Sequence, residues 1–207
     1  MDHQFIHWLG HASFRVEDGE QSIYIDPWKL PSSCPPASLI LITHPHYDHL
    51  SLPDIRRIAT PDTVVLATAD AAKQIPLHCK LVHPGQALSA LLWRIETVAA
   101  YTLKSTSHPM AHGWVGYTVT LESGMTVFHS GDTDRTPELE RVRADVALLA
   151  CGGTYTMNGA EAGEAANRIA PRLVIPMHWG DIVGSRSEAE IVRKTFTGDT
   201  VIKEPER

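Results

Sequence analysis

The run Leu39-Ile40-Leu41-Ile42, followed at once by Thr43-His44-Pro45-His46-Tyr47-Asp48-His49, constrains this chain more than any other segment. Four consecutive branched aliphatic residues without alternation predict a short strand buried on both faces. Three imidazoles and a carboxylate then emerge at its carboxyl end. Neutral imidazole and ionised carboxylate are donors that Zn²⁺ and similar ions favour, and crowding them together is costly without a cation between them. The competing reading is a polar loop that is rich in histidine by chance, and it leaves the downstream recurrences unexplained.

Two later segments repeat the design. Phe128-His129-Ser130-Gly131-Asp132-Thr133 ends a strand in a glycine turn and presents Asp132, whose two oxygens suit a bridge between paired cations. Val174-Ile175-Pro176-Met177-His178-Trp179-Gly180 delivers His178 from another apolar strand. His44 and His46 are two apart, so in extended backbone they point to one side and can grip the same ion. Asp48 and His49 are adjacent and reach a second ion only through a turn. The spacing therefore predicts two divalent ions at the edge where α/β folds usually place their sites. His11, behind Gly10, is a candidate for substrate contact or support of the cradle. His129, inside its strand, reads as a core histidine.

β-prone stretches open the chain at 5–9, 13–17 and 22–25, with Asp18-Gly19 as a hairpin turn. After the strand at 39–42, a short helix is expected from Leu52-Pro53-Asp54 to Ala59, a strand at 64–67 and a helix at 70–74. Stretches at 80–82, 93–98, 115–121 and 126–129 read as a second sheet. The final third alternates: helix 137–142, strand 146–149, helix 160–169, strand 173–176, helix 187–196. With no repeat or linker, this order predicts one domain over residues 1–207, of α/β class, built as a four-layer αββα sandwich.

The motif His44, His46, Asp48, His49 resembles the H-x-H-x-D-H signature of the metallo-β-lactamase superfamily. Trp8-Leu9-Gly10-His11-Ala12-Ser13-Phe14, Gly131-Asp132-Thr133-Asp134, Gly152-Gly153-Thr154-Tyr155-Thr156-Met157 and Pro176-Met177-His178-Trp179-Gly180-Asp181 narrow the resemblance. They look like the branch of metal-dependent hydrolases related to ascorbate-6-phosphate lactonase. The resemblance implies the αββα fold, a dinuclear site and hydrolysis by a metal-bound hydroxide. It makes His44 and His46 ligands of the first metal, Asp48, His49 and His178 ligands of the second, and Asp132 the bridge. Asp48 is also a candidate for holding a proton of the attacking water. The superfamily normally adds a mid-chain histidine to the first site. Ala100-Tyr101-Thr102 lacks it, so His108 is the nearest replacement and His112 the weaker one.

The expected activity is hydrolysis of a small ester, lactone or phosphorylated metabolite, with two zinc ions per chain, or manganese or iron in their place. The alternatives are a metal-binding protein without turnover, a diiron redox protein and a phosphodiesterase or nuclease of the same superfamily. His46 and the chain length count against the diiron protein. A net charge of −6, with no Lys/Arg stripe, argues against nucleic acid as a partner. No apolar run approaches a membrane span, so no membrane association is expected, and a homo-oligomer is left open. The N-terminus carries no secretory pattern, which makes the cytoplasm the expected compartment. Cys34, Cys79 and Cys151 lie far apart and are expected as free thiols.

Overall fold

The computed structural model describes residues 3–206. In the first sheet, β1 (Ile6–Gly10), β2 (Ser13–Asp18) and β3 (Gln21–Ile25) pair antiparallel. To these β4 (Leu39–Ile42), β5 (Val64–Ala67) and β6 (Cys79–Leu81) add in parallel, so the order is sequential. The second sheet repeats the scheme. Here β7 (Ala87–Ala90), β8 (Trp93–Ala99), β9 (Val115–Thr120) and β10 (Thr126–His129) are antiparallel. Then β11 (Val146–Ala150), β12 (Leu173–Met177) and β13 (Asp199–Thr200) run parallel.

The unalternating β4 shows why the layers stack. Leu39 and Leu41 join the buried cluster between the sheets, where Phe14, Ile23 and Ile25 meet Ile95, Tyr117 and Val127. Ile40 and Ile42 face the opposite way and pack with Ile55, Ile58 and Ala71 of α1 (Leu52–Ile58) and α2 (Ala69–Ala72). On the far side, α4 (Gly159–Ile169) and α5 (Arg186–Thr195) pack on the second sheet; α3 (Pro137–Glu140) lies beside α4. Ala162, Ala165, Ile169 and Val192 seal that layer. The four layers are those expected.

Local signals set the helix ends. Ser51 accepts from the Asp54 amide at the start of α1, with Pro53 in its first turn. Asn158 and Glu161 form a reciprocal capping box on α4.

Two expectations change. Residues 79–81 belong to the first sheet, because Cys79 and Leu81 register in parallel with Val65 and Ala67 rather than opening the second. The strand that does open the second, Ala87–Ala90, is an Ala-Leu-Ser-Ala edge without β-branched residues, held by its pairing with β8. Among the described residues no helix is long and apolar enough to cross a membrane, and the three cysteines are free.

Candidate metal centre

Every candidate ligand leaves the carboxyl end of a strand or the long loop after β8. His44, His46, Asp48 and His49 follow β4, Asp132 follows β10, His178 follows β12, and His11 follows β1. Stacking the sheets brings these loops together. His44, His46 and His108 offer donor atoms within 4.8 Å of one another, and so do His11, Asp48, His49 and His178.

Asp132 lies against both groups. Its Oδ2 is 3.2 Å from His108 Nε2 and 3.0 Å from His178 Nε2, and its Oδ1 is 3.3 Å from His49 Nε2. None of these three nitrogens, nor Asp132 Oδ1, has a hydrogen-bond partner, although all are buried. Buried polar atoms are rarely left so, since each costs about 1–3 kcal/mol. Two donors bound about 2.1 Å from one tetrahedral cation stand about 3.4 Å apart, which is close to these separations. The residues present therefore fit divalent ions. His44 Nε2 and His46 Nδ1, 3.1 Å apart, have the same spacing.

The surrounding hydrogen bonds decide which nitrogens are free to coordinate. Thr43 Oγ1 gives its one proton to Asp26 Oδ2 at 2.6 Å, so it accepts from His44 Nδ1 at 2.9 Å. His49 Nδ1 donates to the same Asp26 oxygen at 2.7 Å. Both rings therefore turn Nε2 toward the cluster, as a carboxylate behind an imidazole generally ensures. His129 donates through Nε2 to Ala12 O at 2.8 Å and accepts from the Gly131 amide at 3.1 Å. This core histidine thus ties the loop of His11 to the loop of Asp132.

His11 reaches Asp48 Oδ2 through Nε2 at 3.0 Å, and its ring centroid is 3.9 Å from that of His178. Its carbonyl accepts from the Trp8 indole and the His178 amide, both at 2.9 Å. His11, Asp26 and His178 all adopt left-handed backbone, with φ of 52°, 47° and 63°. Each costs roughly 1–3 kcal/mol, a strain that tends to collect at functional sites. Gly152 permits the close approach of the neighbouring loop, because a Cβ there would lie 2.4 Å from His178 O and 3.0 Å from its Nδ1.

The mid-chain alternatives separate clearly. His108 is 1% exposed within the cluster, whereas His112 lies exposed in a 3₁₀ turn against Trp114. The Thr102 amide bonds His108 O, and the Leu103 and Lys104 amides bond Asp134 Oδ2, so the loop is pinned to the Asp132 turn. Tyr155, from the loop that follows Gly152 and Gly153, lines the cleft above the cluster.

Two residues escaped the sequence reading. Asp26 follows β3 as a lone acidic residue before a proline, and its position after an apolar strand was the available signal. Trp114 packs against His44, His46 and His108 at ring distances of 4.8, 4.9 and 5.5 Å, and its indole donates to Asp70 at 2.6 Å. Nothing in its local sequence announces that contact.

Charge in the cluster is strongly coupled. Burial, then the neighbouring His49, hold the His44 pKa well below the usual histidine value, and burial lowers His11, His46 and His129. Burial opposes charge on His49 as well, yet Asp132 and Asp26 outweigh it and raise its pKa well above normal. Burial likewise opposes Asp48, but the hydrogen bond from His11 and the charge of His49 bring it down to about 2. Below about pH 6.5 the unfolded chain takes up protons that four folded imidazoles refuse, which destabilises the fold, while His49 alone acts the other way. The chelator-treated protein is therefore expected to melt more than about 4 °C lower at pH 5 than at pH 8, equivalent to roughly 1 kcal/mol. Thermal unfolding at both values checks this, and a midpoint flat or rising toward acid would contradict it.

Residues 5–178 match the Beta-lactamase superfamily domain. A UPF0173 metal-dependent hydrolase of Aeropyrum pernix is 33% identical over 198 residues, spanning 84% of this chain and 81% of that one. Its counterpart in Caldivirga maquilingensis is 33% identical over 206 residues, spanning 91% and 88%. A crystal structure from Parabacteroides distasonis, assigned as a metal-dependent hydrolase, superposes with a TM-score of 0.85 at 28% identity, covering 97% of this chain and 93% of that one.

Proposed function

Because this chain belongs to the β-lactamase superfamily, among its metal-dependent hydrolases, we propose that it cleaves a small ester, lactone or phosphorylated metabolite at a dinuclear centre. The observation that carries the reading is the set of unpartnered buried nitrogens around Asp132. His44, His46 and His108 would hold the first ion, and Asp48, His49 and His178 the second, with one Asp132 carboxylate between them. When bound, two such ions, zinc first among the choices, supply a water of lowered pKa and positive charge for the oxyanion that forms.

The chain's own groups do the rest. Asp48, with its pKa near 2, is ionised at neutral pH and is placed to accept a proton from water in the cleft. His11 holds Asp48 in position through the 3.0 Å contact and stacks on His178, making it a positioning residue. Asp26 sets the tautomers of His44 and His49 from behind. Trp114 covers the flank of the three histidines of the first group and keeps solvent from them.

Metal analysis joined to activity tests the reading. Chelation is expected to abolish ester or lactone hydrolysis and added zinc or manganese to restore it. His108→Ala is expected to lower metal content by about one ion per chain, as loss of a direct ligand should. Turnover that survives exhaustive chelation would refute the function, and unchanged stoichiometry would remove His108 from the centre.

A further inference from the structure

The cleft above the cluster, about 320 Å³, has two unlike halves. Its floor is the histidine and aspartate cluster. Its rim is Tyr47, Tyr155 and Ile182, which are 67, 43 and 37% exposed. Trp28 extends this wall, edge-on to Tyr47 with ring centroids 6.3 Å apart. Large apolar side chains left open beside a reactive centre form a surface that favours an apolar occupant.

Charge at the rim points the same way. None of the described residues lining the cleft is lysine or arginine, and Ser107 is the one polar side chain there outside the cluster and the tyrosines. The nearby cation, Lys29, is engaged by both carboxylate oxygens of Asp181 at 2.9 and 3.0 Å and lies 4.1 Å from the Trp28 ring centroid. A phosphate at the far end of a substrate carries nearly two charges and is ordinarily gripped by arginine or lysine. The rim has no such side chain to spare.

Resting on the hydrolase reading above, we infer that the substrate is a small uncharged carboxylic ester or lactone whose aromatic or aliphatic group packs against Tyr47, Tyr155 and Ile182. This sets phosphorylated metabolites aside. In the reaction, water oxygen bonds to the carbonyl carbon and the acyl C–O bond breaks. One water proton passes to the departing alkoxide, and the other is released as the carboxylate forms.

The test uses γ-lactams, which mimic lactones without being cleaved readily, bearing hydrogen, phenyl or phosphomethyl. Their binding to the zinc-loaded full chain is measured by calorimetry, alongside kcat/KM for the matching lactones. The phenyl compound is expected to bind at least about tenfold more tightly than either of the others. In the Tyr47→Ala/Tyr155→Ala variant the phenyl-to-hydrogen ratio is expected to fall to within about threefold. Phosphomethyl binding equal to or tighter than phenyl, an unchanged ratio in the variant, or no phenyl binding at all would overturn the inference. Selective phenyl binding without lactone turnover would instead leave this ligand class standing and sink the hydrolase reading.

Discussion

Asp132→Ala is expected to lower hydrolysis by at least about 1,000-fold, or about 4 kcal/mol of barrier, and to reduce the affinity for both ions together. Its carboxylate lies within 3.3 Å of His108 in one group of donors and of His49 and His178 in the other, and its exposure is 4%. Removing it takes away the anion that draws cations in and leaves His49, His108 and His178 facing one another with nothing between. Burial works against its ionisation, yet His178 and His49 keep its pKa well below the carboxylate range, which favours the anion at neutral pH. Asp132→Asn separates charge from shape, because it preserves volume and loses the anion. Steady-state rates and metal content of both variants decide the matter. An alanine variant within tenfold of the parent rate would mean that Asp132 does not join the two ions.

A second large effect is expected away from the cleft. Asp26 is fully buried and takes three donors: the Thr43 amide at 2.8 Å, the Thr43 hydroxyl at 2.6 Å and His49 Nδ1 at 2.7 Å. Asp26→Ala strands all three where water cannot replace the carboxylate, a loss of about 3–5 kcal/mol. The left-handed backbone there adds to the penalty, since aspartate tolerates it better than alanine. An unfolding midpoint lower by about 10 °C is expected. Metal affinity should also fall by about 10–100-fold, because His49 and His44 lose the groups that orient them. Calorimetric unfolding and competition with a metallochromic dye measure the two effects separately. A midpoint within about 1 °C of the parent, with unchanged affinity, would show that the carboxylate is incidental.

The helices and strands were legible where a local signal was strong. Proline and a capping serine mark α1, and a full capping box marks α4. The edge strand Ala87–Ala90 was illegible because its residues have little intrinsic strand preference and its conformation comes from β8 alongside. Assigning the stretch at 80–82 to the second sheet has a related cause, for a three-residue strand does not encode its partner. At the site, His44, His46, Asp48 and His49 were readable from spacing, as were Asp132 and His178 from their place after apolar strands. Trp114 was not, because a tryptophan just before a strand looks the same whether it packs on core or on a histidine cluster.

Residue type and near-neighbour spacing, read from the chain alone, determined the candidate donors, the strand ends that carry them and the layered class, because imidazole chemistry and backbone alternation are local properties. Tertiary structure alone decided that His108 rather than His112 turns inward and that Asp26 stands behind two imidazoles. The same is true of the apolar rim that faces the carboxylates across one cleft. Those choices depend on how far apart the loops of two stacked sheets come to rest, a distance that no short stretch of sequence contains.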